Sequence, residues 1–470
     1  MKKYLLFLII KISFSLTFDP IPKGNGHLNA PYSHNKTDNL FFIFEHFRHG
    51  ARSPCNGEFI NHTDEIGGKW QNFGSLTKVG IKQQYSLGLK IRKYYDNFID
   101  RIYNPKEIKI FCSKYNRTIM SAQAQLLGFY NMMNFNEIRI NDDIIGEEKI
   151  LNKMNLNSII PPINLLYHFQ KNKKDNFEVL FSEKFRCPVH KQMIKKNIME
   201  IDELATFDKI NKIKGTFNTK YFDIFSREFN IEDYTVNFTG MYKFCDMFIC
   251  YYFEDEGYNK MRINNLEKKF KNFNSTEILN MCYDFMAEKF FKVEGDEYAK
   301  DSSILLMSKI MKRIVNYMTL RIDKEPSYID YDSPKFVLYS GHDDTLTQMQ
   351  LFLNRFFNIN TEWVPFASTQ IYELRKYGND FYVELYYNDK LKMNITFQQF
   401  SKQIKNSVMS DEEINDICYG FRHSPYFLKI SILFLSFISL FIIYLSTKCY
   451  YYCSAKWKDM EKPPRPAFII

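Results

Sequence analysis

Residues 40–54 read Leu40-Phe41-Phe42-Ile43-Phe44-Glu45-His46-Phe47, then Arg48-His49-Gly50-Ala51-Arg52-Ser53-Pro54. The first part is a nearly continuous apolar run with one acid, the pattern of a strand buried within a parallel sheet. It ends in two arginines that flank a histidine, with a glycine that lets backbone approach a ligand closely. Guanidinium forks match phosphate oxygens in shape and charge. The same cations repel metal ions, so His46 and His49 are not read as a metal pair. A surface turn with stray bases is the plainer alternative. A Pro-terminated Arg-His-Gly-x-Arg directly after a buried strand is, however, a rare combination.

Two further segments repeat this layout. Ile108 to Cys112 reads as a strand and leads through Ser113-Lys114-Tyr115-Asn116 to Arg117-Thr118. A helix is expected next, with Ile119, Ala122, Leu126, Leu127 and Tyr130 on one face. Phe336 to Ser340 reads as a third strand, followed by Gly341-His342-Asp343-Asp344-Thr345-Leu346 and another helix. Taken singly, Arg117 would be a solvated residue and His342-Asp343 a helix start. Together they carry weight, because ligands of open α/β sheets bind at the carboxyl ends of parallel strands. If the three runs are parallel neighbours, three arginines, two histidines and a carboxylate meet there. That set suits phosphoryl transfer to a histidine: cations hold the phosphate, one imidazole attacks phosphorus, and a protonated carboxyl supplies the leaving group's proton.

The 470 residues are 45% hydrophobic and 25% charged, which excludes a mainly disordered chain. A mean hydropathy of −0.36 excludes a multispanning membrane protein. The formal net charge of +9 suits anionic partners but is too dilute to predict nucleic-acid binding, and none is expected. Met1-Lys2-Lys3 before an apolar stretch reaching Leu16 reads as a signal peptide over residues 1–18, despite Lys11 inside it. Ile430 to Thr447 contains no charged residue and, extended by Tyr426 to Leu428, is long enough to span a bilayer. A transmembrane helix is therefore expected over 426–447. The tail, 448–470, carries more bases than the preceding flank, which places it in the cytoplasm. The expected protein is single-pass, with its folded part outside the cell or in the lumen of a lysosome or other acidic vesicle. Cys449 and Cys453 then sit just inside the membrane. The other seven of the nine cysteines face an oxidising compartment, where an odd number leaves at least one unpaired or paired between chains. Sequons start at Asn35, Asn61, Asn116, Asn237, Asn274 and Asn394. The one at Asn116 abuts Arg117, and its use would obstruct the cleft.

Arg48-His49-Gly50-Ala51-Arg52-Ser53-Pro54, with Arg117-Thr118 and His342-Asp343, resembles the histidine acid phosphatase family, within the phosphoglycerate-mutase-like superfamily. Gly74-Ser75-Leu76-Thr77, Ser113 to Ala122, Cys187-Pro188 and Pro365-Phe366-Ala367-Ser368 resemble further landmarks. The resemblance covers about residues 38 to 420 and is nearest the lysosomal and prostatic type. It implies that His49 is the nucleophile, forming a phosphohistidine, and that Asp343 is the general acid. Arg48, Arg52, Arg117 and His342 would bind the phosphate. It implies no metal and no organic cofactor. It matches Cys187 with Cys418 as a disulfide and leaves Cys245, Cys250 and Cys282 unassigned. Cations around Asp343 favour its ionised form, whereas donation needs the acid form, which points to an acidic optimum.

The fold expected is α/β: a mostly parallel sheet flanked by helices, with an inserted, mainly helical cap domain and one C-terminal transmembrane helix. The phosphatase core would comprise residues 38–133 and 297–420, and the cap 134–296, where periodicity is irregular. A helix over Ser302 to Thr319 turns Ile304, Met307, Met311, Ile314 and Met318 to the core, and Leu87, Ile91 and Tyr95 form a similar stripe. Tyr372 to Leu374 and Phe381 to Tyr387 read as a hairpin around Gly378-Asn379. The substrate would be a phosphomonoester, small or borne on a phosphoprotein, and a homodimer is implied by resemblance only. A catalytically silent binding or receptor protein on the same fold is the alternative; a mutase is disfavoured by Asp343.

Overall fold

The computed structural model describes residues 39–55, 73–101, 103–113, 115–130, 164–165, 187–201, 208–229, 238–253, 258–293, 302–419 and 425–460. The expected signal peptide lies outside them. The chain divides into two compact units, one of residues 1–185 and 193–410, the other of 186–192 and 411–470.

The first unit is built on a seven-stranded sheet of order β3-β2-β4-β1-β5-β6-β7. Its strands are β1 (Leu40–Arg48), β2 (Ile108–Cys112), β3 (Asn164–Leu165), β4 (Phe336–Gly341), β5 (Thr369–Tyr377), β6 (Asp380–Tyr387) and β7 (Lys390–Thr396). β3, β2, β4 and β1 run parallel. β5 joins β1 antiparallel, and β6 and β7 continue as a meander. The sheet is thus mixed: its parallel part is the part that carries the three sequence motifs. β1 is buried along its whole length, as its apolar run requires. β5 is longer than the sequence suggested, because the charges that obscured it are buried in pairs. Arg375 Nε donates to Glu373 at 2.6 Å, and Tyr95 donates to the other oxygen of Glu373. β7 has Lys390, Leu391 and Asn394 exposed, in keeping with an edge strand.

Helices cover both faces. On one, α1 (Lys78–Tyr95) and α2 (Asn116–Phe129) pack with Ile91, Tyr95, Ala122 and Leu126 against Ile43, Phe47, Ile110 and Leu338. Leu87 is only partly buried there. On the other face the expected stripe of Ile304, Met307, Met311, Ile314 and Met318 is buried. These belong to a helix over Ser302–Ile322, and each such burial is worth about 1.5–3 kcal/mol.

Between the two halves of the core sequence, the described residues other than β3 form mainly helices. They are α3 (Pro188–Glu200), α4 (Asp208–Lys220), α5 (Phe222–Phe229), α6 (Phe238–Tyr252), α7 (Tyr258–Lys269) and α8 (Ser275–Glu288), the last running into a π-helical turn at Lys289–Val293. Phe217, Phe225, Phe244 and Phe248 stack edge and face at their centre. The Ser302–Ile322 helix is α9. It is followed after β4 by α10 (Asp343–Phe357), and α11 (Phe397–Ser407) closes the first unit behind a Thr396–Gln399 capping box.

The second unit contains a disulfide between Cys187 and Cys418, the latter in α12 (Asp411–Tyr419). It also contains α13 (Pro425–Met460), whose segment Ile432–Ser454 is long and apolar enough to cross a membrane, with a mean hydropathy of 2.0. Its large side chains from Ile432 to Leu445 are exposed.

Candidate active site

The loop after β1 is fixed almost entirely through its backbone. Gly50 N donates to Ser121 Oγ at 3.1 Å, and Ala51 N to Gln83 Oε1 at 2.8 Å. Gln84 Nε2 donates to the Arg48 carbonyl, and Thr77, the N-cap of α1, binds the Ala51 carbonyl through both its amide and its hydroxyl. The fit leaves no room for side chains. A Cβ on Gly50 would lie 2.3 Å from the Gly80 carbonyl oxygen, and one on Gly80 would lie 2.1 Å from that of Ala51. His49 N also donates to Gly341 O, tying the loop to the end of β4.

His49 is buried, and its Nδ1 lies 2.8 Å from the Gly50 carbonyl oxygen. That oxygen only accepts, so the proton of the neutral ring sits on Nδ1 and Nε2 keeps its lone pair. Burial, then Arg117, Arg48, His342 and Arg52 in that order, hold the imidazole well below its usual titration range. The ring therefore stays a free base in acid.

The structure brings the other expected residues to the same strand ends. His342, the N-cap of α10, has its ring 5.5 Å from that of His49. Its Nε2 contacts Ser113 Oγ at 2.7 Å and its Nδ1 faces Arg117 Nη2 at 3.4 Å. Arg117 enters from the first turn of α2, its guanidinium 4.5 Å from the Tyr115 ring centre. Arg48 donates from Nη1 to Val364 O and pairs through Nη2 with Asp343 Oδ2, both at 2.6 Å. The other Asp343 oxygen accepts from Asp344 N, while Asp344 itself caps Thr345. Phe366 walls the site, its ring 5.8 Å from His49 and 4.3 Å from the Arg48 guanidinium. The Nε of Arg48 and of Arg52 are buried and have no hydrogen-bond partner among the described residues. Buried donors left unsatisfied are costly, and an anionic ligand is what would relieve them.

One residue was not singled out from the sequence. Asp246 of α6 pairs with Arg52, Oδ1 to Nη2 at 2.7 Å, and accepts from Cys55 N at 3.0 Å. Arg52 holds this carboxyl in its ionised form against the cost of burial. The available signal was a lone carboxylate within the apolar run from Phe244 to Tyr252, which demands a buried partner. Beneath the loop, Glu45 and His46 are wholly buried. Burial pushes the Glu45 carboxyl up to about 8, against a bond from Gln125, and pushes His46 down to about 3. A Cβ on Gly341 would meet His46 Nε2 at 2.5 Å, which keeps that position a glycine.

The family model described as histidine phosphatase superfamily (branch 2) matches residues 45–388. Human prostatic acid phosphatase is 26% identical over 362 residues, covering 75% of this chain and 78% of that protein. Human lysosomal acid phosphatase is 24% identical over 363 residues, covering 75% and 71%. Among solved structures, the phytase from D. castellii superposes with a TM-score of 0.51 at 11% identity, covering 86% of this chain and 88% of that one, a likeness of fold alone.

Proposed function

Because this chain belongs to branch 2 of the histidine phosphatase superfamily and is a phosphomonoester hydrolase, we propose that it acts as a membrane-anchored acid phosphatase through a phosphohistidine on His49. The observation that carries this reading is the state of His49: Nδ1 committed to Gly50, Nε2 bare, and cations on several sides.

Arg48, Arg52, Arg117 and His342 receive the phosphoryl group. His49 Nε2 forms the bond to phosphorus as the bond to the leaving oxygen breaks, and Asp343 gives that oxygen its proton. Water then attacks phosphorus, returns a proton to Asp343 and releases inorganic phosphate, restoring His49. In the free protein Arg48 pairs with Asp343 at 2.6 Å. An incoming phosphate competes with Asp343 for Arg48, which frees the carboxyl to face the leaving oxygen.

The helices α4 to α8 serve as a cap that shapes the leaving-group side, with Asp246 as their contact to Arg52. α13 anchors the chain, with the catalytic part lumenal or extracellular and the tail cytoplasmic, and the Cys187–Cys418 disulfide suits that compartment.

The test is hydrolysis of p-nitrophenyl phosphate by the full chain in detergent, from pH 4 to 8 with a chelator present. Activity that peaks in acid and falls about 10⁴-fold or more in His49→Ala supports the reading. A well-folded wild type that turns over neither this nor natural phosphomonoesters would sink it, leaving a binding protein.

A further inference from the structure

The hydrogen-bond chain behind His342 has a fixed direction. Thr118 Oγ1 lies 2.9 Å from the Ser113 carbonyl oxygen and 2.8 Å from that of Tyr115. Carbonyl oxygens only accept, so the single hydroxyl proton of Thr118 goes to one of them. Ser113 Oγ lies 2.8 Å from Thr118 Oγ1, which has only lone pairs left to offer. Ser113 therefore donates there, and its own proton is spent. Its 2.7 Å contact with His342 Nε2 then requires the proton of that bond to sit on Nε2. The neutral ring thus has a bare Nδ1, toward which Arg117 Nη2 donates from 3.4 Å.

We propose that Ser113 and Thr118 are positioning residues that hold His342 as the Nε2–H tautomer, so that His342 can bond the phosphoryl group only after gaining a second proton at Nδ1. This rests on the reading of Arg117 and His342 as phosphate ligands. A phosphoryl oxygen held by Arg117 presents lone pairs, and so does the bare Nδ1. The two repel unless a proton lies between them. Phosphate binding therefore draws a proton from solvent, and the resulting imidazolium donates from Nδ1 to phosphate and from Nε2 to Ser113, both charge-assisted.

The surroundings allow this only when the ligand is present. The groups facing the ring are Arg117 from α2, Arg48 and His46 from β1, and His49 and Arg52 from the loop after it. Tyr115 meets it edge-on at 5.2 Å, and Asp343, next in the chain, is held by Arg48. Burial, then Arg117, Arg52, Arg48 and His46, keep the free imidazole well below its usual range. A phosphate dianion placed among those arginines offsets their charge and favours the imidazolium.

Thr118→Val removes the acceptor that Ser113 uses. Ser113 is then free to donate to His342 Nε2, and the proton of the ring moves to Nδ1. Titration calorimetry of the full chain in detergent with inorganic phosphate, in buffers of differing ionisation enthalpy near pH 8, where the phosphate is a dianion with no acidic proton of its own to give Nδ1, counts protons taken up. Thr118→Val should take up about one fewer proton per phosphate than wild type, with the alkaline limb of kcat/KM displaced upward by about one pH unit. Ser113→Ala should move both readouts the same way. Wild-type proton uptake and an unmoved limb in either folded variant overturn the proposal. Nitrogen-15 NMR of histidine-labelled wild type, with the His342 signals assigned by His342→Gln, reads the tautomer directly. An Nδ1–H ring in the free protein overturns the proposal whatever the activity. An Nε2–H ring without phosphate binding or turnover overturns the phosphatase reading and leaves the positioning chain standing.

Discussion

The parallel part of the sheet and the helical cluster from α4 to α8 meet the same loop in opposite ways. The sheet delivers residues at strand ends, where β1, β2 and β4 stop in register and turn into loops or helices. Each such end aims a side chain at one point. The cluster delivers bulk: stacked phenylalanines, with Phe253 packed on Phe366 and Asp246 on Arg52. The first region fixes which atoms can react. The second holds in place what the first has presented.

That contrast can be broken by substitution. The largest effect is expected at Asp343, a strand-end residue. Asp343→Ala should lower kcat by about 10²–10⁴-fold for an alkyl phosphate, and much less for p-nitrophenyl phosphate, whose leaving group needs no proton. Equal losses on both substrates would remove Asp343 from the acid role. A middle effect is expected at Asp246, which acts through Arg52. Asp246→Asn should raise KM about tenfold or more with little change in kcat, and lower the melting temperature, since it strips one partner from a buried ion pair. A fall in KM would show instead that Asp246 competes with phosphate for Arg52.

The smallest effect concerns the floor of the loop and sharpens the comparison, because it is a property of the sheet alone. Glu45 keeps its proton in the fold until about pH 8, whereas an exposed glutamate is ionised well below neutrality. Between about pH 6.5 and 8 Glu45 thus holds a proton in the folded state that it lacks in the unfolded chain, and its contribution to stability falls as pH rises. His46 and His190, pushed down by burial to about 3 and about 4, and His49 and His342, also held low, act with the opposite sign up to and through about pH 6.5. Denaturant titrations should show wild type losing about 2 kcal/mol relative to Glu45→Gln from pH 6.5 to 8, a difference in which the histidines cancel. Parallel pH profiles would mean that Glu45 is ionised in place.

The same contrast explains what could be read in advance. Strand-end chemistry is local in sequence: Arg48-His49-Gly50-Ala51-Arg52, Arg117 and His342-Asp343 each follow an apolar run whose end is visible, and the structure brings them together. The helix stripes from Ile304 to Met318 were legible for the same reason, since one face is uniformly apolar. Asp246 was not, because its partner lies far away in sequence and burial alone reveals the need for one. β5 hid behind Glu373 and Arg375, charges that only a paired interior tolerates. β7 hid because an edge strand has few apolar positions to show. β5, β6 and β7 run antiparallel to one another because hairpins, not helices, join them, and the turn at Gly378, with φ of 61°, is compatible with the expected hairpin.

The cross-link between Cys187 and Cys418 spans 231 positions, a stretch that includes His342, Asp343 and Asp246. A protease that nicked the chain once anywhere within that stretch would leave both pieces covalently attached. The nicked protein would keep its apparent mass in an electrophoresis gel and separate into fragments only when a reductant is added.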